Sequence, residues 1–260
     1  MEENLLNYQK NITGIFGVGV QILNLARSFD ELLQKMELHA INGVIQANKI
    51  SGVEGKPLVT LGASLSTLHR QMIPEIEGLK GGCQQLSRIT TICFVAAKRY
   101  YQYTNASLLW CTQVIGEKFK EHEVKIQQNI LNPQELQKII LPLLPHALHS
   151  IEKNNFSYLL KKSSINLMEL RQNLEEVSEM FRSFITKIRQ ITMVTRTARY
   201  ISGCIAVNAN TLEKKSDHFK GLSENMETLV NQLDQKQREF LEHIDLGNRY
   251  LQQLDQGEIL

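Results

Sequence analysis

The sequence predicts an all-α protein, an elongated antiparallel four-helix bundle made of two helical hairpins with an extra helical connection. Apolar residues recur at alternating spacings of three and four over most of the chain, which is the pattern of a helix packed in a bundle. The 260 residues include only five Pro and 15 Gly, so the helices are expected to be long. The sequence shows no sustained β alternation and no hairpin dipeptides.

The first predicted hairpin covers residues 1–104, with its tip near 51–57. The segment SGVEGKP interrupts the apolar pattern, and its last residue, Pro57, suits the first turn of a new helix. Four further apolar residues widen the buried face of the helix before the tip, which predicts burial against more than one neighbour: Leu32, Ile41, Val44 and Ile45. The seam residues before the tip are Ile22, Ala26, Phe29, Leu33, Met36, Ala40, Gly43, Ala47 and Ile50, and those after it are Leu58, Leu61, Leu65, Leu68, Met72, Ile76 and Leu79.

Residues 105–155 are predicted to form a helical crossover or cap. Pro142 and Pro145 break the helical pattern there. Asn132 followed by Pro133 predicts a helix start, because Asn caps the first turn and Pro fits its first position.

The second predicted hairpin covers residues 156–260, with its tip near 210–218. The long helical pattern before this tip and the one after it resemble those of the first hairpin. The gap between them has no Gly or Pro over residues 209–218. The local sequence therefore leaves open whether the chain turns there or continues as one helix.

An internal repeat in the sequence favours a turn of the chain near residues 210–218. Residues 41–48 align with 201–208 at an offset of 160, with four identities in eight positions. Residues 58–68 align with 219–229 at an offset of 161, with three identities. A nearly constant offset on both sides of a polar gap indicates a duplicated helix–tip–helix unit. The alternative is that two amphipathic helices look alike because their seams are alike.

The composition of the chain excludes some classes of partner and location. The balance of 29 Lys+Arg against 27 Asp+Glu gives a net charge of +2, which argues against nucleic acid as a partner. The uncharged runs are shorter than the ~20 apolar residues of a membrane span, and no signal-peptide layout is present. Together with the scattered cysteines, this predicts a cytoplasmic protein with reduced thiols and no membrane span. The cysteines are Cys83, Cys93, Cys111 and Cys204.

The sequence carries no signature of catalysis, so we expect a protein that is not an enzyme and has no cofactor. It contains no GxSxG or HExxH motif, and GVEGK at residues 52–56 lacks the Ser or Thr of a phosphate loop. His146 and His149 could share one helix face, but no carboxylate stands at a complementary spacing. We therefore expect no metal site, and a metal- or cofactor-binding bundle remains an alternative.

The segment Ala40–Leu65, AINGVIQANKISGVEGKPLVTLGASL, resembles the hairpin tip of the signalling domain of bacterial chemoreceptors, the methyl-accepting chemotaxis proteins. The resemblance covers about 26 of the 260 residues. The residues that match the family pattern are Asn42, Ile45, Ala47, Gly52 and Gly55, and those that replace a family residue are Gln46 for Glu, Lys49 and Lys56 for Arg, Pro57 for Gly, and Leu58 for Phe.

The resemblance implies a four-helix bundle whose tip contacts receptors, a coupling protein and a histidine kinase. A chain with two tips resembles a fused pseudo-dimer of that bundle. On this basis we expect a chemoreceptor-like signalling or adaptor protein that binds helical protein partners through its tip, in an oligomeric state that the sequence does not fix. The expected partner-binding residues are Asn42, Gln46, Lys49, Glu54, Lys56 and Leu58.

Two other interpretations remain open. Asn42 and Gln46 could be polar-layer residues that fix the register of the bundle instead of contacting a partner. The apolar stretch Ile12–Leu25, ITGIFGVGVQILNL, has a glycine spacing that suits membrane insertion or close helix contact. A membrane-interacting or toxin-like helical bundle is therefore the alternative function.

Overall fold

The protein is an all-α helical bundle, which confirms the predicted fold class. The computed structural model describes residues 2–50, 55–117, 121–128, 132–144, 150–211 and 216–255, and no β-strand occurs within these ranges. The helices are α1 (Glu2–Asn48), α2 (Lys56–Ile115), α3 (Glu123–Gln128), α4 (Pro133–Ile140), α5 (Ser150–Ala209) and α6 (Ser216–Asp255), with a 3-10 turn at Leu141–Leu143.

The connection between the long helices contains the predicted helix start. The side chain of Asn132 accepts a hydrogen bond from the Glu135 backbone N–H at 3.2 Å, and Pro133 is the first residue of α4. This N-cap satisfies one of the backbone donors that the first turn leaves without a partner. The connection predicted over residues 105–155 includes the end of α2, the two short helices, the 3-10 turn and the start of α5.

The chain folds into two compact units. Unit 1 combines Met1–Val18, Leu86–Glu179 and Leu246–Leu260, and unit 2 combines Gly19–Gln85 and Met180–Asp245. The predicted boundaries follow chain order, whereas each unit joins segments that are distant in the sequence. The reason is that every long helix contributes one part to each unit.

Unit 1 is built from the parts of α1, α2, α5 and α6 that belong to it, together with the short helices. The ring of Trp110 stacks on that of Phe156, with centroids 5.1 Å apart. Thr104 and Ser163 share a buried hydrogen bond of 2.7 Å between their hydroxyls, which ties α2 to α5. Tyr100 is fully buried, and burial raises the pKa of its phenol above the usual range.

Unit 2 is a four-helix arrangement of two antiparallel hairpins, α1–α2 and α5–α6. Each helical segment contacts two others, and neighbouring segments run in opposite directions. The contacts that define the arrangement are Asp30 with Lys80 between α1 and α2 (2.7 Å), Glu75 with Lys187 between α2 and α5 (3.8 Å), Ser202 with Ser223 between α5 and α6 (3.2 Å), and Phe29 with Phe240 between α1 and α6 (ring centroids 6.1 Å apart).

The buried positions of the two hairpins recur at constant offsets. Between α1 and α5 the offset is 162, and between α2 and α6 it is 161, so the first tip is one residue longer than the second. The buried pairs in α1 and α5 are Ile22/Phe184, Ala26/Ile188, Phe29/Ile191, Leu33/Thr195, Met36/Ala198, Ala40/Ser202, Gly43/Ile205 and Ala47/Ala209. Those in α2 and α6 are Leu58/Phe219, Gly62/Ser223, Leu65/Met226, His69/Val230, Met72/Leu233, Ile76/Gln237, Leu79/Phe240 and Cys83/Ile244.

This register corrects the first of the two repeat alignments by two residues. At an offset of 160, Ile45 is paired with Ile205, but Ile45 is 48% exposed and Ile205 is 1% exposed. Likewise Gly43 is buried and Gly203 is exposed. The identical residues therefore lie on different faces of their helices. The second alignment agrees with the structure, because its offset of 161 is the one at which buried residues of α2 and α6 recur.

Candidate partner-binding site

The ends of α1 and α5 and the starts of α2 and α6 lie at the same end of unit 2. We call residues 49–55, between α1 and α2, the first tip, and residues 210–215, between α5 and α6, the second tip. A Cβ atom on Gly43, near the end of α1, would lie 2.6 Å from Cδ2 of Leu222, near the start of α6. Because α5 ends at Ala209 and the antiparallel α6 begins at Ser216, the chain turns at the second tip.

The first tip is shaped by a close approach between the end of α1 and the start of α2. The backbone N–H groups of Lys49 and Ile50 donate to carbonyls three residues earlier, each at 3.1 Å, which tightens the last turn. A Cβ atom on Gly55 would lie 2.8 Å from the backbone oxygen of Ala47. No side chain fits there, so a glycine is required at this position.

Three of the six residues predicted to bind a partner are surface residues at this end of unit 2, and a fourth is half-buried. Asn42, Lys49 and Lys56 are exposed, and Gln46 is half-buried. Leu58 is only 2% exposed, so it packs in the core of unit 2 and offers no surface. Glu54 lies outside the described residues.

A cleft of about 380 Å³ opens between the end of α1 and the start of α2. Its volume lies at the lower end of the range of small-molecule pockets. Ile50 and Val59 give it apolar walls, while Lys56 supplies a cation at the edge. This combination suits an apolar side chain that carries or adjoins a carboxylate. The complete lining is Ala47, Asn48, Ile50, Gly55, Lys56, Val59 and Thr60.

The structure places a buried polar layer in the second hairpin, at residues that the sequence analysis did not single out. The Gln237 side-chain amide N–H donates to Thr195 Oγ1 at 2.9 Å, and Thr192 Oγ1 donates to Gln237 Oε1 at 2.7 Å. The equivalent positions of Thr195 and Gln237 in the first hairpin are the apolar Leu33 and Ile76. The layer therefore fixes the register of α5 against α6, the role considered for Asn42 and Gln46.

The sequence analysis also did not predict an exposed apolar face on α1. Leu38, Ile41 and Ile45 are 58%, 44% and 48% exposed, although the widened seam predicted burial for Ile41 and Ile45. At the offset of 162, Leu38 corresponds to Tyr200 and Ile45 to Val207, which are 73% and 67% exposed. Both hairpins thus present apolar side chains to solvent at equivalent outward positions near their tips.

Two alternative functions, metal binding and membrane interaction, involve other residues than the first tip. Within the described ranges, no group of three or more His, Cys, Asp or Glu side chains could hold a metal ion, and His146 and His149 lie outside those ranges. By length and composition the stretch Gln9–Asn48 could cross a membrane, a test that a core helix also passes. The repeating apolar residues of Ile12–Leu25 are buried: Ile12, Ile15, Val18, Ile22 and Leu25 are at most 8% exposed.

Comparison of the chain with protein-family models, with curated proteins and with solved structures gives no match. The candidate site therefore rests on the tip sequence and on the geometry of unit 2. Its described part consists of the cleft at the first tip, the exposed Asn42, Lys49 and Lys56, and the outward apolar side chains of α1 near that tip.

Proposed function

We propose that the protein is a non-enzymatic signalling or adaptor protein of the chemoreceptor-like type, which binds helical protein partners through the tip end of unit 2. The partner classes proposed are a chemotaxis coupling protein, a histidine kinase or receptor signalling domains, and the proposed location is the cytoplasm. The observation that carries the proposal is the contact of Gly43 with Leu222, which brings the ends of two hairpins from one chain together.

The four-helix arrangement supports this function because a rigid bundle end can present a fixed set of side chains to a partner. The tip sequence resembles a chemoreceptor tip in α1, in the turn and in the start of α2. In unit 2 the same segment forms the end of one hairpin, and the second hairpin ends beside it. One chain therefore supplies the four helices of a bundle end.

The exposed groups at the first tip favour a partner with acidic and apolar side chains. Lys49 and Lys56 are both exposed, and Lys56 borders the apolar cleft. An acidic group of a partner can approach Lys56 while an adjacent apolar side chain enters the cleft, which combines steering by charge with burial of apolar surface.

The test measures binding of the full chain to a purified chemotaxis coupling protein and to a soluble chemoreceptor signalling fragment by calorimetry. The double variant Glu54→Lys/Lys56→Glu reverses two charges at the first tip without changing the net charge. The matched control is Arg70→Glu/Glu77→Lys, which makes the same exchange at two exposed positions of α2. The tip variant is expected to weaken binding by about tenfold or more, and the control to leave it unchanged. Absence of binding, or equal effects of both variants, would contradict the proposed function.

A further inference from the structure

The outward face of α5 in unit 2 carries a second surface, which is separate from the first tip. Three arginines stand seven residues apart, and three apolar residues also stand seven residues apart. With 3.6 residues per turn, all six fall within about 60° of one another around the helix axis and extend over about 37 Å. We call this set the α5 stripe: Arg182, Arg189, Met193, Arg196, Tyr200 and Val207, all of which are exposed.

The apolar members of the stripe are unusually accessible. Tyr200, Val207 and Met193 are 73%, 67% and 62% exposed. Among the described residues of unit 2 they are the three most exposed large apolar side chains. Single exposed apolar residues are common on soluble proteins, but a regular series along one helix marks an interaction surface.

The charged residues of α5 in unit 2 are all basic. Residues 180–209 contain five Lys or Arg residues and no Asp or Glu. Lys187 and Arg199, on the flanks, pair with Glu75 at 3.8 Å and with Asp234 at 2.6 Å. Among the described residues, no carboxylate lies within 4.0 Å of the three stripe arginines.

A partner that complements the stripe is therefore acidic, apolar and one helix wide. The repeat of seven residues matches the periodicity with which two packed helices meet along their length. Arginine forms forked hydrogen bonds with carboxylates. An amphipathic helix with Asp or Glu beside its apolar residues satisfies the arginines and covers the apolar side chains at the same time.

A broad polyanion fits this surface less well. Beside the stripe runs α6, where residues 216–245 contain seven Asp or Glu and three Lys or Arg. The carboxylate of Asp234 lies on the flank that faces α5. A nucleic-acid duplex or an anionic bilayer would extend over these carboxylates and be repelled, whereas a single helix contacts α5 alone.

We propose that the α5 stripe is a docking site for an acidic amphipathic helix of a partner protein. This site is independent of the binding proposed at the first tip. Each proposal can fail while the other stands.

The test uses a designed helical peptide of about 25 residues, the length of the stripe, with Leu and Glu on one face. A matched peptide carries Lys in place of Glu. Fluorescence anisotropy of the labelled peptides with the full chain measures the dissociation constants. Arg182→Glu/Arg189→Glu/Arg196→Glu is expected to weaken binding of the acidic peptide by about tenfold or more, and added salt to weaken it further. Tyr200→Ser is expected to weaken binding at any salt concentration.

The matched control is Arg27→Glu/Arg70→Glu/Arg238→Glu, which changes the net charge by the same amount at exposed positions of α1, α2 and α6. It should bind the acidic peptide like the unaltered protein. Circular dichroism checks that each variant is folded, and replacing the stripe arginines with Gln repeats the test without adding negative charge.

Three outcomes would overturn the proposal. The first is equal affinity for the acidic and the lysine peptides, and the second is an equal loss in the control variant. The third is tighter, stripe-dependent binding to phosphatidylglycerol vesicles, to a DNA duplex or to a second copy of the chain, which would assign the surface to that other class of partner.

Discussion

Gly43 of α1 and Leu222 of α6 are in direct contact, and a Cβ atom on residue 43 would lie 2.6 Å from Leu222 Cδ2. The two residues come from different hairpins and lie close to their respective tips. A side chain at position 43 would force the Leu222 side chain to move. The contact joins α1 to α6 at the end of unit 2 where we place partner binding.

Replacing Gly43 with Val should therefore destabilise the protein. The added side chain overpacks the contact with Leu222, and the expected loss in the free energy of unfolding is about 1–3 kcal/mol. The matched control is Gly203→Val, since a Cβ atom there has no neighbour within 4 Å. Urea denaturation followed by circular dichroism measures both. A larger loss for Gly203→Val would contradict the register of the two hairpins.

The polar layer of the second hairpin predicts a non-additive pair of substitutions. Gln237→Leu removes the amide that donates to the buried Thr195 hydroxyl at 2.9 Å, while that hydroxyl keeps its own bond to the Ile191 carbonyl at 2.8 Å, and should cost about 0.5–1.5 kcal/mol. Thr195→Val in the same chain removes the hydroxyl and should recover part of that loss. A double-mutant cycle from denaturation curves gives the coupling. Strictly additive effects would show that the layer does not act as a unit.

The cysteines should differ sharply in reactivity. Burial raises the pKa of the Cys83, Cys93 and Cys111 thiols to about 12, so at pH 8 they are protonated and inaccessible, whereas Cys204 is half-buried. A thiol reagent under native conditions should therefore label Cys204 first, and denaturation should release the other three. Mass spectrometry of the labelled peptides identifies the sites. Rapid native labelling of Cys93 would contradict its burial.

The same three thiols predict a loss of stability in alkali. Their pKa in the unfolded chain is near 9.0, and burial raises it to about 12 in the folded protein. Above pH 9 the unfolded state releases protons that the folded state retains, so the free energy of unfolding falls as the pH rises from 9 towards 12. Denaturation curves across this range measure the slope, and replacing Cys83 with Ala should make it shallower.

The fluorescence of Trp110 reports on the structure of unit 1, because Trp110 is the single tryptophan of the chain. Its ring stacks on Phe156 at 5.1 Å, and Phe156 is 1% exposed. Phe156→Ala should lower the free energy of unfolding by about 3–5 kcal/mol and shift the Trp110 emission to longer wavelength, since water replaces the ring. Tyr158→Ala, at a position 57% exposed, is the control and should change neither quantity substantially.

Helical periodicity was sufficient to predict the all-α fold and much of the core of unit 2. The seam is buried from Ile22 to Ala47, and its last predicted member, Ile50, is half-buried, because a spacing of three and four residues places every member on one face. Periodicity could not show which apolar residues outside the seam stay exposed. Of the residues that widened the apparent seam, Leu32 is buried and Val44 is half-buried, whereas Ile41 and Ile45 are 44% and 48% exposed.

Neither the register of the repeat nor the polar layer of the second hairpin could be predicted from the sequence, and the reason is a different one. Identity between Ile45 and Ile205 favoured an offset of 160, but the register of a bundle depends on which residues face the core and not on which are identical. Gln237 occupies a seam position where α2 has Ile76. A single polar residue in a seam does not reveal its partner, and the partners Thr192 and Thr195 lie more than 40 residues away in sequence.

Chemical crosslinking of residues 43 and 222 tests most directly whether one chain joins its two hairpins with both tips at one end. The variant Gly43→Cys/Leu222→Cys, in a chain that also carries Cys204→Ser, is treated with a short thiol crosslinker at low protein concentration. Gly81→Cys/Leu222→Cys, with Cys204→Ser, is the control, because Gly81 lies beside Lys80, which pairs with Asp30 far along α1 from Gly43. We expect a crosslink within monomers of the first variant, independent of protein concentration, and little in the control. Crosslinks found only between chains, or equal yields in the two variants, would contradict the arrangement.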